Sequence, residues 1–473
     1  MKVLLLHPPQ TDAVRNYLSH LENEEGIGFK PPLGLLYIAT YLQEKTYHDV
    51  KVVDCHVHQY SYQDVVDVVA QYCPDVVGVT AWTDFWYSAS RIVTLIKECF
   101  PKIFIVVGGP HVLCFPYETL QYPGIDAVVA GDGEKSMVRL LERIQNGNYI
   151  DNIPGVHFKL SGVHRNTVYY EKNLDTIPPP DRALLPVDLY SSVLGSGQLT
   201  TTMITSRGCP YSCVFCKIRS QKPVSHSAQK VLDDFEQVHR LGIKEVEIYD
   251  DTFTWSHERV IKICKGLIER NLRIKWAIRD RVSNVKQETL KWMKRAGCVR
   301  IHYGIESGSN EVLKRVKKRI TVENAEEAVK IAREAGFQVL TFFMIGLPGE
   351  KNRDIRKTIN FSLKLDSDYC QYSITVPYPG TEMYIEGLKN GIYKTDFWRH
   401  FACNPTPDFV IPFGHFSKTT LDEMIGLRNK AILKYYFRPR IILKEIKNIC
   451  SIKEFWKKSN MAVALFKSTF SLK

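Results

Sequence analysis

The stretch "SRGCPYSCVFCKIRS", Ser206 to Ser220, carries Cys209, Cys213 and Cys216 and no fourth cysteine beside them. Zinc sites and ordinary ferredoxin clusters take four protein ligands. Three thiolates spaced x3 and x2 can hold three irons of a 4Fe–4S cube and leave the fourth iron open to an outside ligand. A metal site with an open position is a reactive one. A zinc site completed by a distant ligand, or a chance cluster, are the other readings of these three residues. Gly208 and Pro210 make the stretch a loop.

The loop follows a strand-like run, "TTMITSRG", the first of six. The others are "EVEIYDD", "IKWAIRD", "VRIHYGIES", "QVLTFFMIGLPG" and "CQYSITVPYPGT". Helical segments such as "HERVIKICKGLIERN" and "VENAEEAVKIAREAG" separate them, with Gly297 and Gly336 as stop signals. Six strand–helix units are two short of a closed barrel of about eight. An open, incomplete barrel over 199–385 is the simplest arrangement, with its site at the carboxyl ends of the strands.

A different alternation precedes it. "KVLLLHPP", "VKVVDCH", "DVVGVTAW", "IFIVVGGPH" and "IDAVVAGDGE" have the length and β-branched content of buried parallel strands. Residues 1–150 therefore read as a doubly wound α/β domain, which binds ligands at its strand carboxyl ends. There lie "TAWTDF" (Thr80, Trp82, Thr83), "GGPH" (Gly108, Gly109) and "GDGE" (Gly131, Gly133, Glu134). Gly-rich strand ends let backbone amides approach a nucleotide tail and a phosphate. The proline-rich span 151–198, with "TIPPPDRALLP", reads as a linker between domains. Residues 386–473 read as a small, mostly helical and basic region, with no internal repeat or low-complexity segment in the chain.

Composition limits the rest. The 473 residues suffice for roughly three domains. Hydrophobic content of 44% and charged content of 24% are those of a globular protein. No apolar run reaches a membrane span, and "MKVLLLHPPQ" reads as a buried strand and not as a signal peptide. Nine of the twelve cysteines are scattered singly, Cys99, Cys264 and Cys298 among them reading as small core residues, and a reducing compartment fits. A cytoplasmic protein is expected. The net charge of +12 is concentrated: twelve Lys/Arg against two Glu lie from Arg428 onward. Such a tail is a solvated helical face, or it attracts an anionic surface.

The cysteine triplet, together with the barrel motifs in their order, resembles the radical S-adenosylmethionine (SAM) superfamily. The resemblance implies a 4Fe–4S cluster on Cys209, Cys213 and Cys216 whose open iron chelates SAM. It implies that an electron from an external low-potential donor splits SAM to a 5′-deoxyadenosyl radical, which takes hydrogen from carbon. It assigns Phe215 a place near the adenine, Glu306 of "GIESGS" the ribose hydroxyls, Gly346 of "FMIGLPGE" a close backbone approach to adenine, and Arg281 the SAM carboxylate. Asp250 and Asp251 of "YDDTF" stand where many members carry Gly-Gly-Glu for the SAM amino group. "PYPGT", Pro377 to Thr381, ends the sixth strand.

An α/β domain before such a barrel resembles the cobalamin-binding members, and the likeness extends to "YYFRPR" near the end. It implies cobalamin held by Thr80, Trp82, Thr83, Gly108, Gly109, Gly131, Gly133 and Glu134. His56 of "DCHVHQ" follows the second strand, with Gln59 where the cobalt-ligating motif has glycine, so the loop Trp82 to Phe85 is expected under the cobalt instead. The implied function is methylation of an unactivated carbon. Oxidative cyclisation or ring rearrangement on the same apparatus, as in the anaerobic magnesium-protoporphyrin ester cyclase group, is the alternative. A non-catalytic iron–sulfur or cobalamin-binding protein is the alternative of another class. A small-molecule substrate is expected, with a lipid or pigment preferred. Peripheral contact with the inner face of a membrane through the basic tail, with Trp456, Phe466 and Phe470, fits that preference. No nucleic-acid partner is expected.

Overall fold

Two parallel sheets organise the chain. The structure, a computed structural model, describes residues 1–12, 14, 28–147, 152–159, 163–164, 166–192, 194, 198–217, 222–412, 417 and 419–447. Strands β1 (Lys2–His7), β2 (Asp49–Asp54), β3 (Val76–Thr80), β4 (Phe104–Gly108) and β5 (Ala127–Val129) pair in the parallel order 2-1-3-4-5. Leu4, Val77 and Val107 are fully buried, because helices cover both faces. The order reverses between β1 and β3, and ligands of such sheets bind above that switch point.

The sheet continues past the expected boundary at residue 150. β6 (Val156–Lys159) pairs antiparallel with β5, and β7 (Val163–His164) with β6. The span expected to be a linker thus begins as the sheet's edge. Its later part crosses to the barrel through Arg182. That guanidinium is 2% exposed and pairs with Asp234 on the helix Ala228–Arg240.

The second sheet is the expected open barrel. β8 (Thr200–Met203), β11 (Glu245–Ile248), β12 (Lys275–Asp280), β13 (Cys298–Glu306), β14 (Gln338–Ile345) and β15 (Tyr369–Ile374) pair in chain order, all parallel, and β8 does not meet β15. A small hairpin of β9 (Ser206–Arg207) and β10 (Val224–Ser225) rises from the end of β8. Alternation divides each strand. Val246, Ile278, Ile301, Tyr303 and Val339 join the core against the helices. Glu247, Arg279, His302 and Phe342, one residue over, face the lumen.

The C-terminal segments cover both halves. Trp398 and Phe401 of helix Phe397–Cys403 pack in the same cluster as Val79, Trp86 and Ile92 of the N-terminal sheet. Met424, Ala431 and Tyr435 of helix Leu421–Tyr436 pack in the barrel core. The start of the region expected to be basic and mostly helical is therefore wall material for the two bodies before it. Among the described residues no helix is long and apolar enough to cross a membrane. Trp456, Phe466 and Phe470 lie outside the described residues.

Candidate functional site

The cysteine loop is fixed from below by Asp250. Its fully buried carboxylate accepts from the amides of Thr205 and Ser206 at 2.6 and 3.0 Å and from their hydroxyls at 2.5 and 2.7 Å. Burial still pushes its pKa up. Asp251 accepts from the Gly208 amide at 2.9 Å. The loop itself is strapped at Val214, whose N–H donates to Val316 O at 3.2 Å and whose carbonyl accepts from Met383 N–H at 3.0 Å. Asp250 and Asp251 thus hold the loop. Asp250 has spent its acceptors on Thr205 and Ser206, so it leaves none for the amino group that the family pattern placed here.

Cys213 is buried, and Cys209 and Cys216 are half-buried. The Arg281 guanidinium lies 3.7 Å from Cys213 Sγ and 3.6 Å over the Tyr211 ring, and it donates to Lys318 O. Its Nε is buried without a partner. An unspent buried donor beside the thiols suits an anionic guest. Three thiols spaced x3 and x2 on one loop are a donor set that fits an iron–sulfur cluster.

Glu306 closes the other side. It sits at a register shift of β13 with φ of 73° and pairs with Lys318 at 2.7 Å. A Cβ at Gly304 would lie 2.6 Å from Glu306 Oε1, so this pair requires glycine there. Lys318 Nζ stands 6.0 Å from the centre of the Phe215 ring, and Phe215 packs with Leu347, next to Gly346. Phe215, Arg281, Glu306 and the Gly346 turn therefore gather around the cysteine loop. The backbone of Gly346 has φ of 90°, and a Cβ there would meet Met424 Sδ at 2.4 Å. The glycine serves a left-handed turn under the C-terminal helix.

A cavity of about 230 Å³ opens at the strand ends of the N-terminal sheet. Thr80, Gly108, Gly109, Gly131, Gly133 and Glu134 line it, as does Arg207 from the barrel. Trp82 and Thr83 do not: Trp82 projects, 53% exposed, and Thr83 is buried in the turn after it. The volume is below the roughly 300–1,000 Å³ of drug-sized ligands, so it suits a nucleotide arm and not a whole corrinoid. Glu134 and Asp132 pair with Arg207 at 2.6 and 2.9 Å. Gly131 is required by the chain itself, since a Cβ would strike Tyr169 O at 1.9 Å. His56 lies against the rings of Phe29 and His7.

The two sites face each other. Arg207, one residue before Gly208, runs from the cysteine loop to the cavity wall and over the Tyr37 ring at 5.4 Å. Tyr378 OH donates to Asp84 at 2.8 Å, and Cys114 Sγ to Pro379 O at 3.5 Å, which ties "PYPGT" to the strand ends of the first sheet. Sequence reasoning missed Arg207 and Lys318. Arg207 lies in plain view between Ser206 and Gly208, but its carboxylate partners are 73 and 75 residues away.

The turn after β14 generates a test. Glu350 accepts from the amides of Gly346 and Leu347 at 2.7 and 3.2 Å, and burial pushes its carboxyl up to about 7 from 4.5. Between those values the folded chain keeps a proton that the unfolded chain has released, so stability falls as pH rises through the window. Glu350→Gln removes this term. The variant's thermal midpoint should gain on the wild type between about pH 5 and 8, by at most ~3 kcal/mol in stability. Parallel pH profiles of the two proteins contradict the assignment.

Comparison with known proteins agrees with this geometry. The Radical SAM superfamily matches residues 203–362 and the B12 binding domain residues 28–141. A protein of Pyrococcus horikoshii described as an uncharacterized methyltransferase is 35% identical across 94% of this chain and 95% of its own. The anaerobic magnesium-protoporphyrin IX monomethyl ester cyclase of Rubrivivax gelatinosus is 27% identical across 92% of this chain and 79% of its own. The structure of the radical SAM methyltransferase TsrM from Kitasatospora setae, with cobalamin and [4Fe-4S] cluster bound, shares the fold. Its TM-score is 0.68 at 21% identity, over 82% of this chain and 78% of that one. The chain belongs to the radical SAM enzymes that carry a B12-binding domain, and it works with a 4Fe–4S cluster, SAM and cobalamin.

Proposed function

We propose that the protein methylates an unactivated carbon of a small molecule. The observation that carries this reading is the docking of the glycine-lined cavity against the cysteine loop through Arg207. When bound, the cluster and SAM supply a carbon-centred oxidant and cobalamin supplies a methyl group. The chain's own residues do the rest. Cys209, Cys213 and Cys216 hold the cluster. Arg281 offers its free Nε–H to the SAM carboxylate, and Glu306, oriented by Lys318, takes the ribose diol, since a carboxylate accepts two hydrogen bonds. Thr80, Gly108, Gly109 and Gly133 receive the nucleotide arm of the cobalamin. An external donor supplies the electron.

The similarity to the ester cyclase supports a second reading, oxidation or rearrangement without methyl transfer. Anaerobic product analysis separates the two. The reconstituted protein is given methyl-labelled SAM, a strong reductant and an extract of the host cell. The expected outcome is 5′-deoxyadenosine and S-adenosylhomocysteine together, with label in an extract component, and neither product from Cys213→Ala. Deoxyadenosine without S-adenosylhomocysteine supports the second reading. Neither product from protein with an intact cluster defeats both.

The preference for a lipid or pigment rests on the basic C-terminal end. Helix Pro439–Lys447 exposes Ile442 and Leu443 beside Arg440, an amphipathic surface suited to an anionic membrane. Helix Leu421–Tyr436 is part of the barrel core, so the informative truncation removes residues 439–473 and leaves that helix whole. Binding to anionic vesicles should be salt-sensitive and should weaken about tenfold or more on truncation. Equal binding by the truncated protein counts against membrane contact.

A further inference from the structure

The charged side chains of the barrel lumen pair off, with one exception. At its floor Arg300 pairs with Glu245 at 2.7 Å, and Lys30 reaches Glu247 at 3.6 Å. His302 accepts from Arg300 Nε at 3.0 Å, and burial lowers its pKa to about 3, so it is neutral. At the mouth Lys318 holds Glu306, and Arg281 lies on Cys213. Arg279 is left. It is exposed, its guanidinium lies 3.8 Å over the Tyr249 ring, and it enters no ion pair among the described residues. Asp251 feels its charge but lies beyond ion-pair range and is spent on the Gly208 amide.

The position of Arg279 has a use. It lies on β12 two residues before Arg281, which follows the strand in extended backbone (φ −102°, ψ 143°), so both side chains fall on the lumen side, about 6.5–7 Å apart along the chain. Arg281 marks the level of the cysteine loop. Arg279 marks the level just below it, beside the place that the proposed function gives to SAM. The guanidinium lies over Tyr249 and meets its hydroxyl, and no carboxylate among the described residues pairs with it; a planar fork of this kind takes carboxylate or phosphate in two parallel hydrogen bonds. The wall of β14 supplies Leu340, Phe342 and Met344 on the lumen face, an apolar surface for the remainder of the guest.

We propose that Arg279 binds an acidic oxygen group of the substrate, a carboxylate or a phosphate, and so selects anionic molecules with an apolar body for the lumen. This inference rests on the proposed radical reading only for where the substrate sits. The binding itself needs no turnover, so its failure is distinguishable from failure of that reading.

Equilibrium binding to the reconstituted, SAM-loaded protein tests it, with pyrophosphate and succinate as probes. The wild type should bind one of them, and which one tells phosphate from carboxylate. Arg279→Gln should weaken that binding about tenfold or more, and Arg279→Lys should restore part of it. Unchanged thermal midpoints of both variants show that the loss is local. Equal binding by the wild type and Arg279→Gln overturns the proposal, as does a wild type that binds neither probe.

Discussion

The buried carboxylate of Asp250 is the constraint from which the site follows. A fully buried carboxylate is tolerable only when its acceptors are filled, and here two adjacent residues fill them with two amides and two hydroxyls. The cost of burying the group thereby becomes positional accuracy. The chain leaving β8 has one direction open to it. Ser206 faces inward to the carboxylate, Arg207 faces the other domain, and Gly208 turns with φ of 99° toward Cys209. A loop that must present three thiols to one cluster needs such a base, because cysteines on a loose loop would pay the ordering cost on each binding event.

Arg207 extends the constraint to the second body. Its partly buried guanidinium is held by two carboxylates from the opposite domain, so losing one leaves it paired with the other. The same pair of carboxylates sits at the start of helix Gly133–Gln145, on the cavity wall. The N-terminal cavity and the cysteine loop are therefore parts of one charged cluster, and the two cofactor sites share a reference frame. C-terminal helices reinforce it, since Trp398 locks one half and Tyr435 the other.

Much of this was legible in the sequence because its physics is periodic or local. Parallel strands buried on both faces read as apolar runs, so all five strands of the first domain's parallel sheet and all six of the barrel could be placed from composition alone. The cysteine spacing is local and chemically specific. What escaped was pairing at a distance. Lys318 sits in the charged run "KRVKKRI", where nothing marks it as the partner of Glu306. Asp250 looked like a ligand residue because a carboxylate at a strand end can be either a ligand or an anchor, and only its four donors decide. "VHFK" at β6 is four residues among prolines and glycines, too short to outweigh them, and so the sheet's edge read as linker. The Met424 neighbour of Gly346 also escaped, since it lies 78 residues on, in a helix that gave no sign of covering the barrel.

The central claim is that three thiols on an anchored loop hold a four-iron cluster with one iron left for SAM. Mössbauer spectroscopy of protein reconstituted with iron-57 tests it most directly. The account predicts four irons per chain, of which one alone changes its signal when SAM is added. A cluster whose irons are all indifferent to SAM, or iron bound singly by the cysteines, would contradict it.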